Sequence, residues 1–118
     1  MLVGDVGEFK LIDILLNALS EQEPRLEREA PTGLRLLIGP GDDAAAWTAP
    51  NGSEVLTTDT LVEGVHFKRS HTSWRDLGWK CLAVNLSDVA ATGCSPGYAV
   101  VTLGLQPDIP VDDLVEMY

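Results

Sequence analysis

The sequence is poor in aromatic residues, which make up 6% of its 118 positions. A core built from it must therefore be mainly aliphatic and rich in alanine. Cysteine occurs twice, as Cys81 and Cys94, with no CxxC pair and no histidine at ligand spacing. That excludes a disulfide scaffold and a zinc site, and both thiols read as reduced packing residues. Positive charge is scarce: 8 Lys and Arg stand against 18 Asp and Glu, a net charge of -10. Unaided binding to nucleic acid or to an anionic membrane needs clustered Lys and Arg, so both are excluded as primary functions. No apolar run reaches the roughly 18 residues of a membrane span. The start, MLVGDVGEFK, lacks the basic and apolar regions of a signal peptide. A cytoplasmic protein is expected. There is no internal repeat and no low-complexity tract.

What is present suits one compact domain over residues 1–118, with 45% hydrophobic and 22% charged residues. In GEFKLIDILLNAL, Phe9, Ile12, Leu15, Leu16 and Leu19 recur at helical spacing and predict a helix over 7–19. Residues 20–33 read as a charged loop. Leu34–Ile38 predicts a strand ended by Gly39-Pro40-Gly41. Residues 44–48 and 54–61 predict a hairpin turned at Asn51-Gly52. Residues 73–91 predict the main helix, capped by Ser73 with Asp76 and closed by Gly93. Residues 98–105 predict an apolar strand, and PDIPVDDLVEMY reads as the start of another helix, cut short, as in a piece of a longer chain. The sum is an α+β domain with a mostly antiparallel sheet covered by helices.

Three acidic centres lie on separate elements. Asp42 and Asp43 follow a glycine turn and precede Ala44-Ala45-Ala46, which reads as buried. Adjacent carboxylates repel one another. They suit a cation at the turn, although an Asp-rich loop bonded to its own backbone would look the same. Asp59 stands among Thr57, Thr58 and Thr60. Asp is disfavoured within strands, and hydroxyls beside a carboxylate are the hard oxygen ligands of magnesium. A polar strand end is the plainer alternative.

The third centre is Asp88. On a helical wheel Trp79, Leu82, Ala83, Leu86, Val89 and Ala90 form the main apolar stripe. Asp88 lies nearly opposite, among Cys81, Val84, Ala91 and Thr92. The helix is thus apolar nearly all round and is expected to be covered on both sides. Asp88 would then be a carboxylate in apolar surroundings needing a partner, and Lys80, two turns away, is poorly placed for it. A metal ion is the economical partner, and a helix-end Asp bonded to a neighbouring loop is the plainer alternative. His66 follows the threonine-rich segment, and a lone histidine there is ordinarily structural or merely exposed. His71, Lys68 and Arg69 read as a solvated, charged loop.

The segments GEF (7–9), GDDAA (41–45), TTDTLVEGVHF (57–67) and LAVNLSDVAATG (82–93) together resemble the thiamine-monophosphate kinase family. That family belongs to the superfamily of aminoimidazole ribonucleotide synthetase. The resemblance runs in order over most of residues 7–105. It implies the fold of that superfamily's N-terminal domain, and transfer of the γ-phosphoryl of ATP to thiamine monophosphate with magnesium. By position, Asp43, Thr57, Thr58, Asp59 and Asp88 resemble metal ligands, with Asp42 adjacent to them. His66 resembles a residue that contacts the thiamine phosphate, and Gly7-Glu8-Phe9 a segment that folds over the nucleotide. A homodimer is also implied. Pro40 departs from the family, which often has a branched aliphatic residue there. The family's further Gly-Gly-Asp segment and C-terminal domain have no counterpart in these residues, so the chain is expected to be inactive alone. The alternatives are a superfamily member with another acceptor, or a non-catalytic dimerisation or metal-binding module.

Overall fold

The computed structural model describes residues 1–22, 33–50 and 52–118. A short 3-10 turn, Val3–Asp5, opens the chain, followed by helix α1 (Glu8–Gln22), strands β1 (Arg35–Ile38) and β2 (Ala46–Thr48), helix α2 (Trp74–Ala91) and helix α3 (Val111–Met117). This is an α+β arrangement, and α1 runs to Gln22, beyond the predicted 7–19. The rest of the predicted 20–33 loop lies outside the described residues, except Gly33.

The core forms where the helices meet. Leu15 of α1, Ile109, and Leu114 of α3 make one buried cluster, with Leu11, Trp74, Leu103 and Leu105 packed against it. Leu114 is fully enclosed. Helix α3 lies against both α1 and α2. It packs closely on α2 at Gly78, where a β-carbon would overlap the carbonyl oxygen of Met117 and lie 2.8 Å from its carbonyl carbon. The chain start is stitched to the segment before α3. The Val3 N–H donates to the Ile109 carbonyl at 2.8 Å, and the Val111 N–H to the Met1 carbonyl at 3.0 Å.

Helix α2 begins as its sequence directs. The Ser73 hydroxyl accepts the Asp76 N–H at 3.1 Å and donates to the Asp76 carboxylate at 2.7 Å. It ends at Gly93, whose φ of 75° turns the chain out of the helix while its N–H reaches the Ala90 carbonyl.

The sheet differs from expectation. Strand β2 pairs with β1, antiparallel, with Arg35 opposite Thr48 and Leu36 opposite Trp47. A bulge falls between Leu36 and Ile38. The hairpin therefore turns through residues 39–45 and not at 51–52; Asn51 lies outside the described residues. Segments 54–61 and 98–105 carry strand-like sequences but form no regular strand. A strand is completed by a neighbouring backbone, and among the described residues neither segment has one. Tyr98 anchors the start of its segment, its ring tilted against that of Trp47 at 5.6 Å between centroids and its hydroxyl donating to the Leu34 carbonyl at 3.3 Å.

Among the described residues, helix α2 is not covered on both sides. Leu77 is its buried residue, whereas Trp79 is 75% exposed and Leu82 52%. A wheel reports which faces are apolar, but not whether this chain has anything to lay on them. Among the described residues, no helix is long and apolar enough to cross a membrane.

Candidate functional site

The β1–β2 hairpin carries Asp42 and Asp43 in its exposed connecting loop. Asp42 is turned to the backbone, its Oδ1 accepting the Asp43 N–H at 2.7 Å. That is a local side-chain-to-backbone bond of the kind an Asp-rich loop makes, and it leaves Asp43 as the carboxylate of the pair without a hydrogen bond among the described residues. Ala44 and Ala45 are exposed and Ala46 half-buried, so the alanines do not form the buried platform expected of them.

The second and third centres do meet. Thr57 is half-buried, and its hydroxyl donates to Asp88 Oδ2 at 3.2 Å, joining residues 31 positions apart. Thr58 and Asp59 follow, both exposed. Helix α2 supplies the rigid half of this junction. Asp88 sits on its last turns and is exposed, which corrects the expected apolar burial: among the described residues nothing covers its side of the helix end, where Ala91 and Thr92 are exposed as well. Lys80 does not partner it. Its ammonium donates instead to the His66 carbonyl at 2.9 Å.

His66 lies on an exposed turn, and its Nδ1 accepts the Val62 N–H at 3.0 Å. Arg69, read from sequence as part of a solvated loop, is paired with Glu63 at 2.7 Å. The hydrogen bond to Glu63, and then its charge, raise the Arg69 pKa further above its ordinary value. The Lys80 and Glu63 ties escaped sequence reasoning because both are contacts between side chains and a loop whose shape no periodicity reports.

Among the described residues, no three His, Cys, Asp or Glu side chains stand close enough together to hold a metal ion. Asp43, Asp59 and Asp88 are thus not gathered into one cage. The donor chemistry nonetheless fits a hard cation. Magnesium keeps several waters and is bound through one or two carboxylates plus substrate phosphates. An exposed carboxylate with a hydroxyl at its side, in a segment that also carries Asp59, is of that kind. The apolar groove between α2 and α3, lined by Trp79, Leu82, Leu86, Met117 and Tyr118, contains none of these residues.

Residues 41–118 match the family described as AIR synthase related protein, N-terminal domain. The chain belongs to this family. The matched span takes in Asp42, Asp43, the 57–67 segment and Asp88. The relatives that follow carry one name. The chain is 44% identical to a thiamine-monophosphate kinase of Bacillus subtilis over 82 residues, 69% of this chain and 25% of the relative. It is 38% identical to that of Synechococcus elongatus over 109 residues, 90% of this chain and 32% of the relative. It is 36% identical to that of Aquifex aeolicus over 118 residues, 100% of this chain and 33% of the relative. The chain thus spans a quarter to a third of the length of these relatives. No solved structure matches it.

Proposed function

We propose that the chain is the metal- and nucleotide-binding N-terminal part of an enzyme that transfers the γ-phosphoryl of ATP to thiamine monophosphate, giving thiamine diphosphate. The observation that carries this reading is the Thr57–Asp88 hydrogen bond. It brings the TTDT segment and the NLSD helix, the two most specific stretches of the family resemblance, to one place on the surface. The names of the relatives supply the substrates, and the reading extends to a protein of their full length.

Donor and acceptor are both polyanions, so like-charge repulsion is a large part of the barrier. Magnesium, when bound, neutralises that charge and aligns an in-line displacement. Asp88, Asp59 and Asp43 would hold it, with Thr57 and Thr58 adding hydroxyl oxygens and Asp42 bracing its neighbour's backbone. Thr57 also fixes the orientation of the Asp88 carboxylate. His66 would donate a hydrogen bond to the acceptor phosphate. That phosphate oxygen is already ionised near neutral pH, so the chain needs no general base. We further propose that two copies of the domain associate, and that residues 1–118 alone do not turn over.

The test is magnesium-dependent formation of thiamine diphosphate from ATP and thiamine monophosphate by the full-length open reading frame that carries this sequence. In Asp88→Asn the amide oxygen still accepts from Thr57, so the fold is retained. Magnesium-nucleotide binding should weaken by more than the roughly 10–100-fold that loss of an outer-shell partner costs, and turnover should fall with it. Unchanged calorimetric binding in a folded Asp88→Asn protein would remove Asp88 from the ligand set. Product formation with some other phosphate acceptor alone would reassign the substrate.

A further inference from the structure

The loop from Val62 to Arg69 is bonded far beyond what an exposed turn requires. The Val62 carbonyl accepts the N–H of Val65 at 3.1 Å and of His66 at 2.8 Å, and the Gly64 N–H reaches the Phe67 carbonyl at 2.8 Å. Gly64 has a φ of 81°, in the left-handed region that a side chain would strain. The Glu63–Arg69 pair closes the loop from outside at 2.7 Å. Two further bonds converge on His66 itself: the Val62 N–H donates to its Nδ1 at 3.0 Å, and Lys80 of α2 donates to its carbonyl at 2.9 Å.

These bonds decide what the imidazole can offer. A backbone N–H is always a donor, so Nδ1 must be the unprotonated, accepting nitrogen. The neutral ring then carries its proton on Nε2. His66 is exposed, so that N–H is available to a ligand. A ring in this form presents a hydrogen-bond donor, which a phosphate oxygen can use. Arg69, the guanidinium closest in sequence, is engaged by Glu63. Lys80 spends its ammonium on a main-chain carbonyl, which holds the loop to the helix that also carries Asp88.

We propose that Lys80 is a positioning residue: by fastening the His66 carbonyl to α2 it holds the 62–67 turn in the one shape that commits Nδ1 to Val62 and presents Nε2–H to a phosphate monoester. The identity of that monoester rests on the function proposed above; the tautomer and the role of Lys80 do not.

The experiment is long-range nitrogen–proton correlation NMR on the 15N-histidine-labelled chain at a pH above 8, where an ordinary imidazole is neutral. His66 is expected to show a single Nε2–H pattern, and His71, whose ring makes no hydrogen bond among the described residues, a mixture. In Lys80→Met the His66 pattern should relax toward that of His71. Amide exchange at Val62 and His66 should quicken on the order of tenfold, as expected for loss of one charge-assisted hydrogen bond, with the helical signals of α2 intact. Lys80→Arg, which can still donate, should restore both. An Nδ1–H pattern in the wild-type chain overturns the proposal whatever the variants do. So does an unchanged His66 pattern and exchange rate in Lys80→Met. The same resonances, followed as thiamine monophosphate is added to the full-length protein, test the substrate separately. If they stay unmoved while the tautomer and Lys80 results hold, the substrate assignment fails and the positioning role stands.

Discussion

Cys81 and Cys94 show how far apart two thiols of one chain can stand chemically. Cys81 is half-buried on α2, and desolvation pushes its pKa up from the ordinary 9.0, with the Lys80 charge opposing. Cys94 lies exposed just past the helix end. Tyr118 is raised from 10.0 by the same cause, burial. A raised pKa on a group that is neutral when protonated means that the folded state holds the proton more tightly than the unfolded chain does. Its contribution to stability is complete below the unfolded value and is lost as pH rises through the folded one. Denaturant midpoints should therefore drop as pH climbs from about 9, and Cys81→Ser should reduce the slope of that drop. A midpoint that rises over this range would contradict the burial of both groups. Alkylation near neutral pH should likewise label Cys94 first.

Among the elements, α2 and α3 depend on each other at one residue. Gly78 lies in the interior of α2, where an exposed Gly→Ala change ordinarily stabilises a helix by about 1 kcal/mol. Here the added carbon would strike the Met117 backbone of α3, which cannot swing aside as a side chain would. The sign reverses, and Gly78→Ala should destabilise the domain by about 1–3 kcal/mol, the usual cost of overpacking. Urea unfolding followed by circular dichroism reads this directly, and a gain in stability would show that α3 does not pack where the structure places it.

The same elements show what was legible in advance. The Ser73 cap, the Gly93 stop and the span of α2 were readable because each is set by neighbours within a turn or so, whereas α1 was placed but its end, at Gln22, lies past the predicted 19. The pairing of β2 with β1, and the lack of a strand partner for 54–61 and 98–105 among the described residues, were not, because a strand's partner is chosen by distant backbone. The candidate site divides in the same way. Its residues stood out as carboxylates and hydroxyls in odd company, whereas the contact of Thr57 with Asp88, the exposure of Asp88 and the Lys80 tie are all tertiary facts.

At the scale of the whole molecule, the chain exposes more than a domain of its size should. Its accessible surface is 9043 Å², whereas a folded monomer of this length exposes roughly 6,200 Å². Its radius of gyration is 15.6 Å, against roughly 13.5 Å for a compact domain. The surplus surface is apolar where it matters. Leu56 is 88% exposed, Val100 80% and Trp79 75%. Leu56 and Val100 fall in the two strand-like segments that pair with nothing among the described residues, while Trp79 stands on the uncovered flank of α2. Large obligate interfaces bury roughly 1,000–2,500 Å² per partner, so association can remove most of the surplus of roughly 2,800 Å². An unpaired apolar segment is completed most directly by a second copy of itself, since identical edges offer matching backbone donors and acceptors. Sedimentation of the chain should therefore show a concentration-dependent dimer. Val100→Glu, together with Leu56→Glu, should shift it to monomer while leaving the α1–α3 core and its helical signal unchanged, because neither residue belongs to that cluster. A wild-type chain that stays monomeric at high concentration would place the missing cover elsewhere than in a second copy. A charged double variant that dimerises as the wild type does would move the interface away from these two segments, and the bare flank at Trp79 and Leu82 would be the next surface to charge.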